Sequence, residues 1–170
     1  MQVSMFSMQA TDMQGLTFND AIAISYKKWP LIQAVGIAMN GICCLCQMDI
    51  ESRDHIFFGC NYSRSIWEMI LSLCEISRVI GSCSEELQWA IQNLKGKQWV
   101  SSLLRIAWKA YIYHVWKERN GRLYGNSTET SLQVLEHIKE VIRIKLARLR
   151  FPATAFNRRL CNRWGLLNVC

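Results

Sequence analysis

Four residues constrain this chain more than any other feature: Cys43, Cys46, His55 and Cys60, in the spacing Cys-x2-Cys-x8-His-x4-Cys. Two residues between the first cysteines allow a tight turn to carry both sulfurs on one side. The eight residues that follow are enough to bring the chain back, and the four between His55 and Cys60 close the opposite side. Three thiolates and one imidazole suit Zn2+, which takes soft sulfur and nitrogen ligands in a tetrahedron. With all four positions filled by protein, no place is left for water or substrate, so the expected site is structural. The competing reading is a set of buried or redox cysteines, because cysteine is among the most buried residue types and the chain has eight. Cys44 is a substitute ligand in principle, but Cys43 preserves the two-residue gap. Cys44, Cys74, Cys83, Cys161 and Cys170 fit no ligand pattern and read as core or surface thiols.

Charge is distributed unevenly. The chain has 20 basic and 13 acidic residues and a net charge of +7. Residues 139–163 contain Lys139, Arg143, Lys145, Arg148, Arg150, Arg158, Arg159 and Arg163 against Glu140 alone, and the rest of the chain is balanced. Such a block can neutralise phosphates and release counterions, which makes RNA or DNA a candidate partner without sequence reading. The alternative is a solvated helix face. The metal loop itself is a poor phosphate surface: a Zn2+ centre with three thiolates is anionic, and Asp49, Glu51 and Asp54 lie close to it against Arg53. Phe57 and Phe58 are expected to pack beneath the ligands, base stacking being the other reading.

The remaining composition and patterning point to a mainly α chain: a small Cys3His zinc module followed by a bundle of about three to four helices. Half the residues are hydrophobic and seven are tryptophan, which excludes a disordered tail. Residues 17–28 read as a short helix ended by Trp29-Pro30. Ser63, or Ser65 with Glu68, marks the start of a helix running to Cys74, and Ser82 with Glu85 starts another to Leu94. Residues 98–120 carry apolar residues on two stripes, as a central helix would, and Lys117, Arg119 and Arg122 read as its polar exit. His114, among them, reads as a hydrogen-bonded core or boundary histidine rather than a fifth ligand. A last helix is expected from a cap at residues 126–128 to Leu149, with Leu132, Leu135, Ile138, Ile142, Leu146 and Leu149 facing the core.

The residues around the ligands resemble a known family. Cys43-x2-Cys46, Glu51-Ser52-x-Asp54-His55-Ile56-Phe57-Phe58-x-Cys60 and Ser63-x2-Ile66-Trp67 are similar to the zinc-binding domain of plant reverse transcriptases, which follows the polymerase in non-LTR retrotransposon polyproteins. The similarity continues more loosely through Trp116-Lys117-Glu118-Arg119-Asn120 to Arg163-Trp164-Gly165, about residues 39–170. Upstream the chain departs from the family's pattern, with only Tyr26-Lys27-Lys28-Trp29 as a counterpart. The resulting division is a divergent segment at 1–38, the Cys3His module and following helix at 39–80, and a helical region with a basic end at 81–170. The resemblance implies a non-catalytic module that contacts nucleic acid or other retrotransposon-encoded proteins. A scaffold role built on the tryptophan-rich helix, or a remnant without selected function, are the alternatives.

Catalysis is not expected. A polymerase or ribonuclease needs clustered carboxylates on divalent metals, and the only aspartates are Asp12, Asp20, Asp49 and Asp54. No Gly-rich phosphate loop, HExxH helix or nucleophile triad is present. The N-terminus does not read as a secretory signal, and no stretch reads as a membrane span. Reduced thiols in an intracellular setting are therefore expected, with a nuclear location suiting the family.

Overall fold

A computed structural model describes residues 41–95, 98–125, 128–147 and 149–166. The expected helix at 17–28 and the divergent segment at 1–38 lie outside the described residues. Those described form a metal-knuckle segment, a single π-helical turn at His55–Gly59, and five α-helices: α1 Asn61–Leu73, α2 Cys83–Asn93, α3 Trp99–Leu123, α4 Ser131–Leu146 and α5 Ala155–Trp164. No strand occurs among them beyond one isolated antiparallel bridge between Ile42 and Ile50. The mainly helical class with a zinc-type module at its front holds. None of the described helices is long and apolar enough to cross a membrane.

The core is built from the long helix outward. Helix α3 buries Leu103, Leu104, Ala107, Trp108, Ala110, Tyr111 and Val115, and packs most extensively against α4. Helix α4 answers with Val134, Leu135, Ile138, Ile142 and Leu146 at i, i+4 spacing. Helix α1 lies against both α4 and the π-helical turn, burying Ile66, Trp67, Ile70 and Leu71. Phe58, Trp67, Trp108 and Tyr111 then form one aromatic cluster, with centroids 5.1–6.2 Å apart. Such tilted and edge-on contacts add to the hydrophobic gain of burying large rings. Trp67 also donates its indole N–H to the buried Glu86 carboxylate at 2.9 Å, and the Gly81 amide donates to the other oxygen at 2.8 Å. Arg78 pairs with the same group.

Helix boundaries follow their caps, and several differ from the sequence reading. Ser82 and Glu85 form the expected capping box of α2. The Ser65–Glu68 box does not form: Cys60 occupies the N-cap of α1, Ser63 Oγ donates to the Ile56 carbonyl and Ser65 Oγ to the Tyr62 carbonyl. Helix α4 starts at a Thr130–Gln133 capping box rather than at 126–128, and ends at Leu146. Leu132 and Leu149 are consequently outside its buried stripe and exposed, with Val134 in the core instead. Helix α5 was not expected. Thr154 caps its first turn by accepting from the Asn157 amide, and Gly165, at φ +67°, supplies the left-handed C-cap. Cys161, expected as a reduced thiol, is disulfide-bonded, while Cys43, Cys44, Cys46, Cys60, Cys74 and Cys83 are free.

Candidate metal centre

The knuckle is a short loop folded by its own backbone. The Cys43 amide donates to the Asp49 carbonyl at 2.8 Å, and the Gln47 amide returns to the Cys43 carbonyl at 2.7 Å. Gln47, just after Cys46, takes φ +56° to complete this reversal, a conformation disfavoured for any residue with a Cβ. The second ligand pair is set by the π-helical turn. Ser52 accepts the His55 amide at 3.1 Å, and the Cys60 amide reaches back five residues to the His55 carbonyl at 2.5 Å. That wide turn brings Cys60 over His55 and drives Ile56, Phe57 and Phe58 inward. Tyr111 of α3 donates to the Phe57 carbonyl, so the polar backbone of the irregular turn is satisfied from the core side. With Phe57 and Phe58 no more than 2% exposed, packing prevails over base stacking for this pair.

The outcome is convergence. The ligand atoms of Cys43, Cys46, His55 and Cys60 all lie within 4.8 Å of one another. Cys43 Sγ and Cys60 Sγ are 4.0 Å apart, and Cys46 Sγ is 3.2 Å from His55 Nε2. Two sulfurs bound to one tetrahedral Zn2+ at about 2.3 Å would stand about 3.8 Å apart, so the donor set fits such an ion in both chemistry and size. His55 turns its other nitrogen, Nδ1, toward Asp49 Oδ2 at 3.9 Å, the side on which outer carboxylates orient metal-bound imidazoles.

Local hydrogen bonds already favour thiolate at one ligand. Cys60 is held below the ordinary thiol range, first by the Cys43 hydrogen bond, with help from the amides of Ser63 and Tyr62 at the start of α1. Cys43 is pushed far up by donating to Cys60 and by burial, against the amides of Cys46 and Leu45, which point at its sulfur. Cys44 faces away, donating to the Arg119 carbonyl at 3.5 Å, and burial beside Glu51 pushes it up to about 11. It is not part of the cluster.

What the sequence reading missed is how α3 holds the knuckle. The sequence places Arg119 and Arg122, with Lys117, at the polar exit of a helix expected to stop at Asn120. The helix instead continues to Leu123, because the two arginines are anchored. Arg119 grips both oxygens of Glu51 in a buried pair, the side chains only 3% and 4% exposed. Arg122 donates to the Leu45 carbonyl at 2.8 Å and to Glu118 at 2.6 Å, and its guanidinium lies 4.5 Å from the Tyr62 ring centre. A partial signal was available: Asp49, Glu51 and Asp54 crowd the knuckle, and Arg119 and Arg122 are spaced to share one helix face.

The basic segment divides by partner. Lys139 pairs with Glu136 at 2.7 Å; Arg143 pairs with Glu136 and Glu140; Arg159 and Arg163 reach Glu75 at 3.2 and 3.5 Å. Lys145, Arg150 and Arg158 are exposed and have no acidic partner among the described residues. Arg148 lies outside them. His114 is buried, but its Nε2 has no hydrogen-bond partner; it stacks on His137 at 5.6 Å instead. Burial, then His137 and Lys117, lower it to about 4.

Residues 25–67 match the family model described as zinc-binding in reverse transcriptase. That span contains all four clustered residues and ends in α1 at Trp67. It begins upstream of the knuckle, taking in Tyr26 to Trp29 and the following residues where the chain was expected to diverge. No curated protein and no solved structure matches the chain.

Proposed function

We propose that Cys43, Cys46, His55 and Cys60 bind one structural Zn2+, and that the chain is a non-catalytic module derived from a plant retrotransposon reverse transcriptase protein that contacts nucleic acid. The convergence of four donors inside the family-matched segment carries the metal part of this reading. A filled ligand set leaves no position for an activated water, which argues against a zinc hydrolase. The zinc would cross-link the knuckle to α1 and so present the helical body in one orientation.

Nucleic-acid contact is placed on the basic C-terminal third rather than on the knuckle. The knuckle's aromatic pair is buried and its charge is acidic or internally paired. Lys139, Arg143, Arg159 and Arg163 share their charge with glutamates, leaving Lys145, Arg150 and Arg158 as the strongest phosphate contacts, with Arg148 between them in sequence. The scaffold alternative is weakened at Trp99 and Trp108, which are core residues, while Trp116 is half-buried.

Two measurements test the reading. Zinc per chain, determined on protein purified without added metal, is expected to be one in the parent and none in Cys43→Ser and His55→Ala. Binding of labelled single-stranded RNA and DNA is then followed against salt. Three phosphate contacts predict a slope of about −2 in log K against log[salt], flattened when Lys145, Arg150 and Arg158 are reversed to glutamate. A folded parent without zinc sinks the metal reading, and salt-insensitive or absent binding sinks the nucleic-acid one.

A further inference from the structure

Arg122 is engaged at all three of its guanidinium nitrogens. Its Nε donates to Glu118 Oε1 at 2.6 Å and its Nη2 to the Glu129 carbonyl at 3.1 Å. Nη1 donates to the Leu45 carbonyl at 2.8 Å and approaches the Cys44 carbonyl at 3.5 Å. Glu118 Oε1 also accepts the Glu129 amide at 2.9 Å, and Tyr62 donates to the Glu129 carbonyl at 2.8 Å. The guanidinium is thereby fixed by α1, α3 and the segment leading into α4.

The two carbonyls it meets belong to particular peptide groups. The Cys44 carbonyl shares its peptide with the Leu45 N–H, and the Leu45 carbonyl shares its peptide with the Cys46 N–H. Those are the two amides that point at the Cys43 sulfur. A cation at the oxygen end of a peptide group draws electron density toward itself and strengthens the donor at the nitrogen end, since linked hydrogen bonds polarise one another. A Zn2+ with three thiolates and one neutral imidazole carries a net negative charge, so donors to its sulfurs stabilise it.

We infer that Arg122 is a positioning residue for the metal, holding the knuckle turn against α3 and supporting the Cys43 thiolate through the 44–45 and 45–46 peptide groups. Arg119 differs: it pairs with Glu51 and anchors the loop through that carboxylate. The coupling runs both ways. Metal binding steadies the turn that Arg122 grips, and so the junction of α3 with α4.

This inference rests on the zinc reading above, and the test separates the two. Zinc affinity of the full chain is measured by chelator competition, and the sulfur-to-metal charge-transfer band is recorded after Co2+ substitution, for the parent, Arg122→Met and Arg122→Lys. Outer groups around metal sites are worth about 10- to 100-fold in affinity, and Arg122→Met is expected to lose that much. Its charge-transfer band is expected to move to lower energy, because a sulfur with weaker donors gives up electron density more readily. Arg122→Lys, which keeps the charge but not the fork, is expected to fall between the two. Unchanged affinity in Arg122→Met overturns the inference. A weakened site with an unmoved band overturns it as well, since a mere clamp on the loop would do that. Should Arg122→Met fail to fold, Glu118→Gln decides: it loosens Arg122 at full size, and a band unmoved from the parent's rejects the proposal. A parent that takes up neither ion fails the zinc reading first, before any variant is read.

Discussion

The arginines at the end of α3 and those of α4 and α5 are the same residue type doing opposite work. Arg119 and Arg122 are drawn into the protein, where Glu51, Glu118, the Asn120 side chain and backbone carbonyls accept from them. Arg143, Arg159 and Arg163 remain at the surface, meeting Glu136, Glu140 and Glu75 across water-exposed faces. Pairs of the second kind contribute little to stability and are screened by salt. Pairs of the first kind are costly to break, because the partner left behind is a buried charge. Net charge on a sequence therefore says little until burial has sorted the cations, and here the sorting leaves Lys145, Arg150 and Arg158 exposed while Arg119 and Arg122 are paired against the knuckle.

The largest expected effect breaks the knuckle itself. Metal binding supplies on the order of 10 kcal/mol in small zinc domains. Cys60→Ala, or chelation of the parent, is therefore expected to unfold residues 41–60 while α3 and α4 keep most of their helix. Hydrogen exchange resolved by residue checks this; uniform loss of protection throughout would show that the two regions do not unfold separately. Next is Arg119→Ala, expected to cost about 3–5 kcal/mol by stranding Glu51. Denaturant melts of the zinc-loaded protein measure it, and the double change Arg119→Met with Glu51→Leu should restore part of the loss.

A smaller effect tests the helical side. His114 is held neutral by burial, with a folded value of about 4 against an ordinary 6.5. The unfolded chain takes up a proton below 6.5 that the folded one refuses, so stability falls as pH drops from 6.5 toward 4 and levels off below that. On the order of 3 kcal/mol is at stake. His114→Phe should remove that part of the pH dependence, seen as the difference between parent and variant melts over this range. The smallest effect is on the surface. Reversing Lys145 and Arg158 to glutamate should change stability by less than about 0.5 kcal/mol. The same change should weaken RNA binding at low salt, and equal affinity for parent and variant would move the interface elsewhere.

The convergence of Cys43, Cys46, His55 and Cys60 was legible because tetrahedral coordination demands residue types at spacings that few other structures need. Helix α2 was legible through Ser82 and Glu85, a local signal that tertiary contacts did not override. The capping box at Ser65 failed for the opposite reason: Ser63 was needed by the π-helical turn, and Cys60 already stood at the N-cap. Helix α5 passed unseen although Thr154 and Gly165 mark its ends, because its ten residues bury only Leu160, Cys161 and Trp164, and Arg158, Arg159 and Arg163 among them make the segment read as a basic run.

By itself the sequence determined which atoms could hold a metal, that most of the chain would be helical, and where the positive charge lay. Those properties depend on residue type, spacing and periodicity, all of which are local. Only the tertiary structure decided that Phe58 belongs to an aromatic cluster with Trp67, Trp108 and Tyr111, and that α3 runs past Gly121 to meet the knuckle. It also brought Arg122 to the Cys3His loop, 77 residues from the Leu45 carbonyl it grips. Contacts between residues so far apart in the chain depend on how α3 lies against the Cys3His loop, and no local pattern records that.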